Sequence, residues 1–272
     1  MNLGSLPPPS PSTLDHPRIL MLHGGGTNSR IFHMQCRGLE LRMNRHFRLV
    51  YAEAPHASAA GPDVLSVYAD CGPFKRWVLT AEPNTVEAQP QGTWDGVGRA
   101  VADAMDADDA RGATGEWVGV LGFSQGAKVA ASILLRQQER PEALGSLLGR
   151  SPAGNGGGGC RFRFGVLLAG RGPLLQPDPD EADWLVEGEK FDYESNVAAG
   201  RVLRLPTVHV HGLQDPGLYY HRVLLNQWCD PASTKLIQWD GNHRLPIKTA
   251  DVEKVVSAVL DVARKEGVPL AQ

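Results

Sequence analysis

An α/β fold on a mostly parallel central sheet, with helices on both faces, is what this sequence predicts, and three observations predict it. Six short apolar runs are separated by longer stretches, several of helical pattern, the order that produces strand–helix crossovers. Several of those runs lack polar/apolar alternation, as strands buried on both faces do. The chain has 272 residues, 42% apolar and 21% charged, a globular composition with the length for a full hydrophobic core.

Taken in order, the chain opens on residues 1–16, read as a poorly ordered tail around Leu6-Pro7-Pro8-Pro9-Ser10-Pro11. Met1 to Ser12 has no basic stretch followed by an apolar one, so a secretory signal is not expected. Residues 17–272 carry no internal repeat and no second composition regime, and read as one domain. The first strand is Ile19–Leu22, running into His23-Gly24-Gly25-Gly26, and the second is Arg48–Ala52. Glu53 to Trp94 is long for a connection and carries Tyr68, Phe74 and Trp77, so it is expected to form a small cap or cleft wall. Trp117–Leu121 is the third strand and Gln125–Gln138 the helix after it. Gly145 to Gly159, ending in four consecutive glycines, reads as a flexible surface insertion. Phe162–Ala169, Thr207–His211 and Lys235–Trp239 are the remaining strands. Thr249–Lys265 closes the pattern, its Val252, Val255, Val256, Val259 and Ala263 making one apolar helical face.

Composition excludes several function classes. Lys plus Arg number 27 against 30 for Asp plus Glu, a net charge of −3, and no local basic cluster supplies the stripe that nucleic-acid binding needs. No apolar run approaches the ~18–20 residues of a membrane helix. Cys36, Cys71, Cys160 and Cys229 are scattered without a CxxC pair, which points to a reduced, cytoplasmic protein without cysteine-bound metal.

Gly122-Phe123-Ser124-Gln125-Gly126 is the strongest chemical signal. It is a G-x-S-x-G sequence between a buried strand and a helix, the setting of a nucleophile elbow. The strand must reverse sharply there, and glycines two residues either side allow close backbone approach without Cβ clashes. A serine hydroxyl needs a base, and His243 follows the last strand across Asp240-Gly241-Asn242. Asp215, in the loop after His211-Gly212, can reach the same sheet edge as the orienting acid; Asp178, Asp180 and Asp192 lie in a polar stretch without a strand end. Backbone N–H groups of the His23–Gly26 loop and of Gln125 are candidate oxyanion donors, with Gly25 favoured in the loop. No Lys-Ser/Thr follows the glycines, so a phosphate cradle is disfavoured. His23 is expected to hold that loop, and at least one of His209 and His211 to face the core.

Together these markers resemble the FSH family of serine hydrolases within the α/β-hydrolase fold. They are Leu22-His23-Gly24, Glu53-Ala54-Pro55, Gly122-Phe123-Ser124-Gln125-Gly126-Ala127, His209-Val210-His211-Gly212 leading to Asp215-Pro216, and Gly241-Asn242-His243 with Pro246. The resemblance runs from about Pro17 to Arg264 and implies a Ser124–Asp215–His243 triad in an ester or thioester hydrolase. It further implies kinship with fungal trans-acting thioesterases that release polyketide chains, hence a carrier-bound acyl substrate and a polyketide synthase carrier domain as partner. Trp77 and Tyr219 are the expected substrate-wall residues. Such acyl transfer requires no metal or organic cofactor. Two rival readings are a carboxylesterase for small esters and a non-catalytic hydrolase-like binding protein.

Overall fold

Runs of Leu, Val and Ile become interior strands because both of their faces can be covered. The computed structural model describes residues 10–79, 93–150, 160–175 and 192–271. The strands are β1 (Arg18–Leu22), β2 (Arg48–Ala52), β3 (His56–Ser58), β4 (Phe74–Arg76), β5 (Trp117–Phe123), β6 (Cys160–Leu168), β7 (Thr207–Gly212) and β8 (Thr234–Trp239). The helices are α1 (Ser29–Met43), α2 (Leu65–Tyr68), α3 (Thr93–Asp109), α4 (Gln125–Glu139), α5 (Pro141–Leu147), α6 (Tyr193–Ala198), α7 (Leu218–Trp228) and α8 (Thr249–Lys265).

The main sheet has the order β2-β1-β5-β6-β7-β8, with every neighbouring pair parallel. β3 and β4 form a separate antiparallel pair. Side chains alternate across the sheet: Ile19 and Met21 of β1 pack with residues of α1 and α8, whereas Leu20 and Leu22 pack with those of α3 and α4. Each such buried aliphatic side chain contributes about 1.5–3 kcal/mol. From β1 the chain moves outward to β2, and from β5 it moves the other way to β6. The connections therefore diverge between β1 and β5, where open α/β sheets form a crevice at their strand C-termini.

The opposite edge is pinned by charge. Arg18 and Arg48 enter β1 and β2 fully buried. Arg48 reaches Asp108 at 2.8–3.0 Å through Nε and Nη2, and Arg18 pairs with Asp109 at the end of α3. Removing one partner from such a buried set is strongly destabilising.

Four expectations need correction. The tail is shorter than residues 1–16: Pro11–Thr13 form a 3₁₀ turn, Arg48 donates to Ser10 O at 2.8 Å, and Thr114 N–H donates to Leu14 O at 2.8 Å. Residues 10–16 are thus docked, and 1–9 lie outside the described residues. The Gly145–Gly159 insertion is also narrower, because Gly145 is buried within α5 and Arg150 is buried against Asp109 at 2.8 Å; residues 151–159 lie outside the described residues. β6 begins at Cys160, two residues early, and stops at Leu168. β5 continues through Phe123 to the serine itself.

Candidate active site

The turn from β5 into α4 is too tight for ordinary side chains. A Cβ on Gly122 would sit 2.2 Å from Gly126 O, and one on Gly126 would sit 2.2 Å from Leu22 O. Between them Ser124 adopts φ +53°, ψ −115°, a left-handed conformation that costs a non-glycine residue about 1–3 kcal/mol. Its N–H donates to Leu168 O at 2.9 Å. The strain holds the hydroxyl clear of the helix and facing the loop after β8.

That loop delivers His243, whose Nε2 lies 2.9 Å from Ser124 Oγ. Its Nδ1 lies 2.6 Å from Asp215 Oδ2, in the loop after β7. Asp215 Oδ1 accepts from Gly217 N–H at 2.7 Å. Burial opposes the charge on Asp215, but the hydrogen bond and charge of His243, with the Gly217 N–H, hold its carboxyl below the usual range. The Phe123 ring packs beside His243 with centroids 5.1 Å apart. With His243 Nδ1–H donating to Asp215, Nε2 is the acceptor for the Ser124 proton.

Gly24–Thr27 lie against this elbow. A Cβ on Gly25 would be 3.1 Å from Gln125 Oε1, so Gly25 and Gln125 are neighbours. Gly26 N–H is committed to Lys75 O at 2.8 Å and Thr27 N–H to Gly24 O at 3.3 Å. Among the described residues the Gly25 and Gln125 N–H groups have no protein acceptor. His23 braces the loop: its Nδ1 donates to Gly24 O at 2.8 Å while Nε2 accepts from Ala54 N–H at 3.1 Å.

Trp77 and Tyr219 are not where the sequence put them. Trp77 is fully buried behind the elbow, not on the cavity wall. Its indole N–H donates to His23 O at 2.8 Å, and its backbone N–H donates to Gln125 Oε1 at 2.7 Å. A buried indole needs an acceptor, and this one ties the 74–79 segment to the loop that follows β1. Tyr219 points outward from α7, 68% exposed, against Tyr220. The 53–94 segment does wall the cleft as expected, through Ala59, Ala60, Pro62, Val64, Val67 and Val78 rather than Trp77; residues 80–92 lie outside the described residues. The cavity has a volume of about 980 Å³ and opens onto Ser124 and His243.

His221 has no positional argument in the sequence, where a solvent-facing or packing role is the default expectation. It is fully buried on α7, with Nε2 3.5 Å from Asp215 Oδ2. Burial, reinforced by its His211, His243 and Arg171 neighbours, pushes it down to about 3 against the pull of Asp215. His209 and His211 are both buried, held down to about 3 and about 4 chiefly by burial. Donor atoms of Asp215, His221 and His243 come within 4.8 Å of one another, close enough for a metal ion, which would compete with the Asp215–His243 hydrogen bond.

Comparison with known proteins identifies the family. The profile of the family described as serine hydrolase (FSH1) matches residues 13–255. Esterase pigG of Monascus ruber is 51% identical over 266 residues, covering 94% of this chain and 95% of that protein. Esterase claE of Penicillium crustosum is 47% identical over 265 residues, covering 94% and 96%. The crystal structure of a variant of Arabidopsis thaliana SOBER1 shares the fold at 17% identity, with a TM-score of 0.51 over 91% of this chain and 99% of that one. The sheet is that of an α/β hydrolase, and the chain belongs to the serine hydrolase (FSH1) family.

Proposed function

We propose that Ser124, His243 and Asp215 are the catalytic triad with which this hydrolase cleaves an acyl ester or thioester, releasing a polyketide-type chain from its carrier. The observation that carries the reading is the continuous relay from Ser124 Oγ through His243 to Asp215, at 2.9 and 2.6 Å. His243 Nε2 takes the serine proton as Oγ attacks the acyl carbonyl. The Gly25 and Gln125 N–H groups hold the resulting oxyanion, each such donor lowering the barrier by about 3–4 kcal/mol. Collapse expels the alcohol or thiol, which leaves with the proton from His243. Water then gives a proton to the same nitrogen, attacks the acyl-enzyme, and frees Ser124 and a carboxylic acid.

The substrate class rests on the family resemblance, and the cavity supports it. Its volume of about 980 Å³ lies at the upper end for drug-sized ligands, and exposed Val67 and Ile247 at its lining offer apolar contact to a long chain. A fluorophosphonate probe tests the nucleophile: labelling of the wild type that vanishes in Ser124→Ala is expected, and an unlabelled, well-folded wild type defeats the assignment. Matched acyl esters and acyl thioesters of increasing length test the substrate. Long thioesters should be turned over best, and equal turnover of short esters favours a small-ester carboxylesterase.

A further inference from the structure

The cavity is far more basic than the protein. Among the described residues, Arg37, Arg76, Lys128, Arg171 and Arg244 line it against a single carboxylate, Asp63, in a chain of net charge −3. Among the described residues none of the five is ion-paired: Arg76 donates to Ser58 Oγ at 3.0 Å, Arg244 to Asn242 Oδ1, and Arg171 stands over the Tyr220 ring.

Lys128 is the most telling of them. It lies in the first turn of α4, its N–H bonded to Ser124 O at 3.2 Å, and it is only 9% exposed. Helical side chains lean toward the helix N-terminus, which brings the lysine back toward the serine turn, and it lines the same cavity as Ser124 and His243. No described carboxylate or carbonyl accepts from its ammonium, and burial alone pushes it down to about 8. The helix dipole adds to the expense, since a cation is disfavoured in a first turn. The remaining buried positions of α4 are mostly Ala, Val, Ile and Leu. Among the described residues, then, Lys128 is a buried cation without a counter-ion, in the cavity that Ser124 lines.

We propose that the substrate brings that counter-ion: the site takes acyl substrates bearing an anionic oxygen group, and Lys128 is the residue that receives it. The inference rests on the assignment of Ser124 as nucleophile. The anion can be a carboxylate or enolate on the acyl chain, or the phosphate of a phosphopantetheine arm. Lys128 binds and orients it; the arginines draw it into the cavity by steering.

The test measures a ratio of kcat/KM within each enzyme, in two arms. One arm compares ω-carboxyacyl with length-matched neutral acyl p-nitrophenyl esters. The other compares phosphopantetheine with pantetheine thioesters of one acyl group. Wild type should favour the charged partner in one arm by about 10-fold or more, as charge-assisted hydrogen bonds allow. Lys128→Met should bring that ratio close to one, and Lys128→Arg should keep most of it, with thermal melts reporting the folding of each variant. The responding arm names the source of the anion. Ratios near one in both arms for wild type, or a ratio unchanged in Lys128→Met, overturn the inference while leaving the nucleophile intact. Absence of fluorophosphonate labelling in wild type overturns the nucleophile, and this inference with it.

Discussion

His221 Nε2 stands 3.5 Å from Asp215 Oδ2, the same oxygen that His243 engages at 2.6 Å. The carboxylate thus has imidazole on two sides, one inside the relay and one behind it. Asp215→Asn should lower kcat by about 10⁴-fold, because the amide imposes the wrong tautomer on His243. His221→Leu removes only a weak polar contact, so kcat/KM should fall by about 3–10-fold. Steady-state kinetics on one activated ester separates the two; equal losses would place His221 inside the relay.

Acid should unfold this protein early. His209 and His221 are held down to about 3, and His211 to about 4, mainly by burial. Each is protonated near pH 6.5 when unfolded but stays neutral when folded. Stability is therefore complete above about pH 6.5 and falls as pH drops toward 4, by up to about 1.4 kcal/mol per unit per histidine. Asp215, held below the usual carboxylate range, adds a further loss at still lower pH. Denaturant melts from pH 7.5 to 4 should show a slope that flattens in His209→Gln.

The elbow glycines admit no methyl group. Gly122→Ala and Gly126→Ala each drive a Cβ to 2.2 Å from backbone oxygen, at a cost of about 3 kcal/mol or more. Calorimetry should show a large drop in Tm, whereas Gly112→Ala, whose Cβ meets nothing within 4 Å but lies at φ +88°, should show a smaller one.

Trp77 and Tyr219 give opposite controls. Trp77→Phe leaves the buried His23 O without its indole donor, which should cost about 1–3 kcal/mol of stability. Acyl-chain preference should stay as in wild type, since Trp77 does not line the cavity. Tyr219→Ala should change stability by no more than about 0.5 kcal/mol. A shift in chain-length profile for either variant would return these aromatics to the wall.

Lys128→Met should melt higher than wild type. A lysine held at about 8 instead of its ordinary 10.5 weakens the fold at neutral pH by on the order of 3 kcal/mol. Both states are protonated below pH 8, so the penalty is full there and fades as pH rises toward 10.5. The gap in Tm between variant and wild type should narrow over that range.

β1, β2, β5 and β7 were legible because parallel strands buried on both faces read as short continuous apolar runs, and the helix over Thr249–Lys265 because α8 buries one face only. Ser124, Asp215 and His243, the proposed triad, were picked out for a related reason: each stands just past a strand C-terminus. β3 and β4 were not, since three residues apiece, none of them buried, leave no periodicity to read. Trp77 was misplaced because an aromatic in a long connection looks the same whether it lines a cleft or braces one. His221 did leave a signal, as His221, Leu224 and Trp228 fall at spacings of three and four on one buried face of α7. Lys128 left none, because α4 is buried nearly all round and no polar face marks an exception.

Ser124 and His243 are 119 residues apart in the chain and meet at 2.9 Å, and the loop with Gly25 lies a further hundred residues upstream. The reacting atoms converge only when β1, β5, β7 and β8 have all taken their places. No fragment or partly assembled intermediate can hold the relay together. Turnover is accordingly an all-or-none gauge of completed assembly: during refolding, recovery of hydrolysis should trail every local spectroscopic probe.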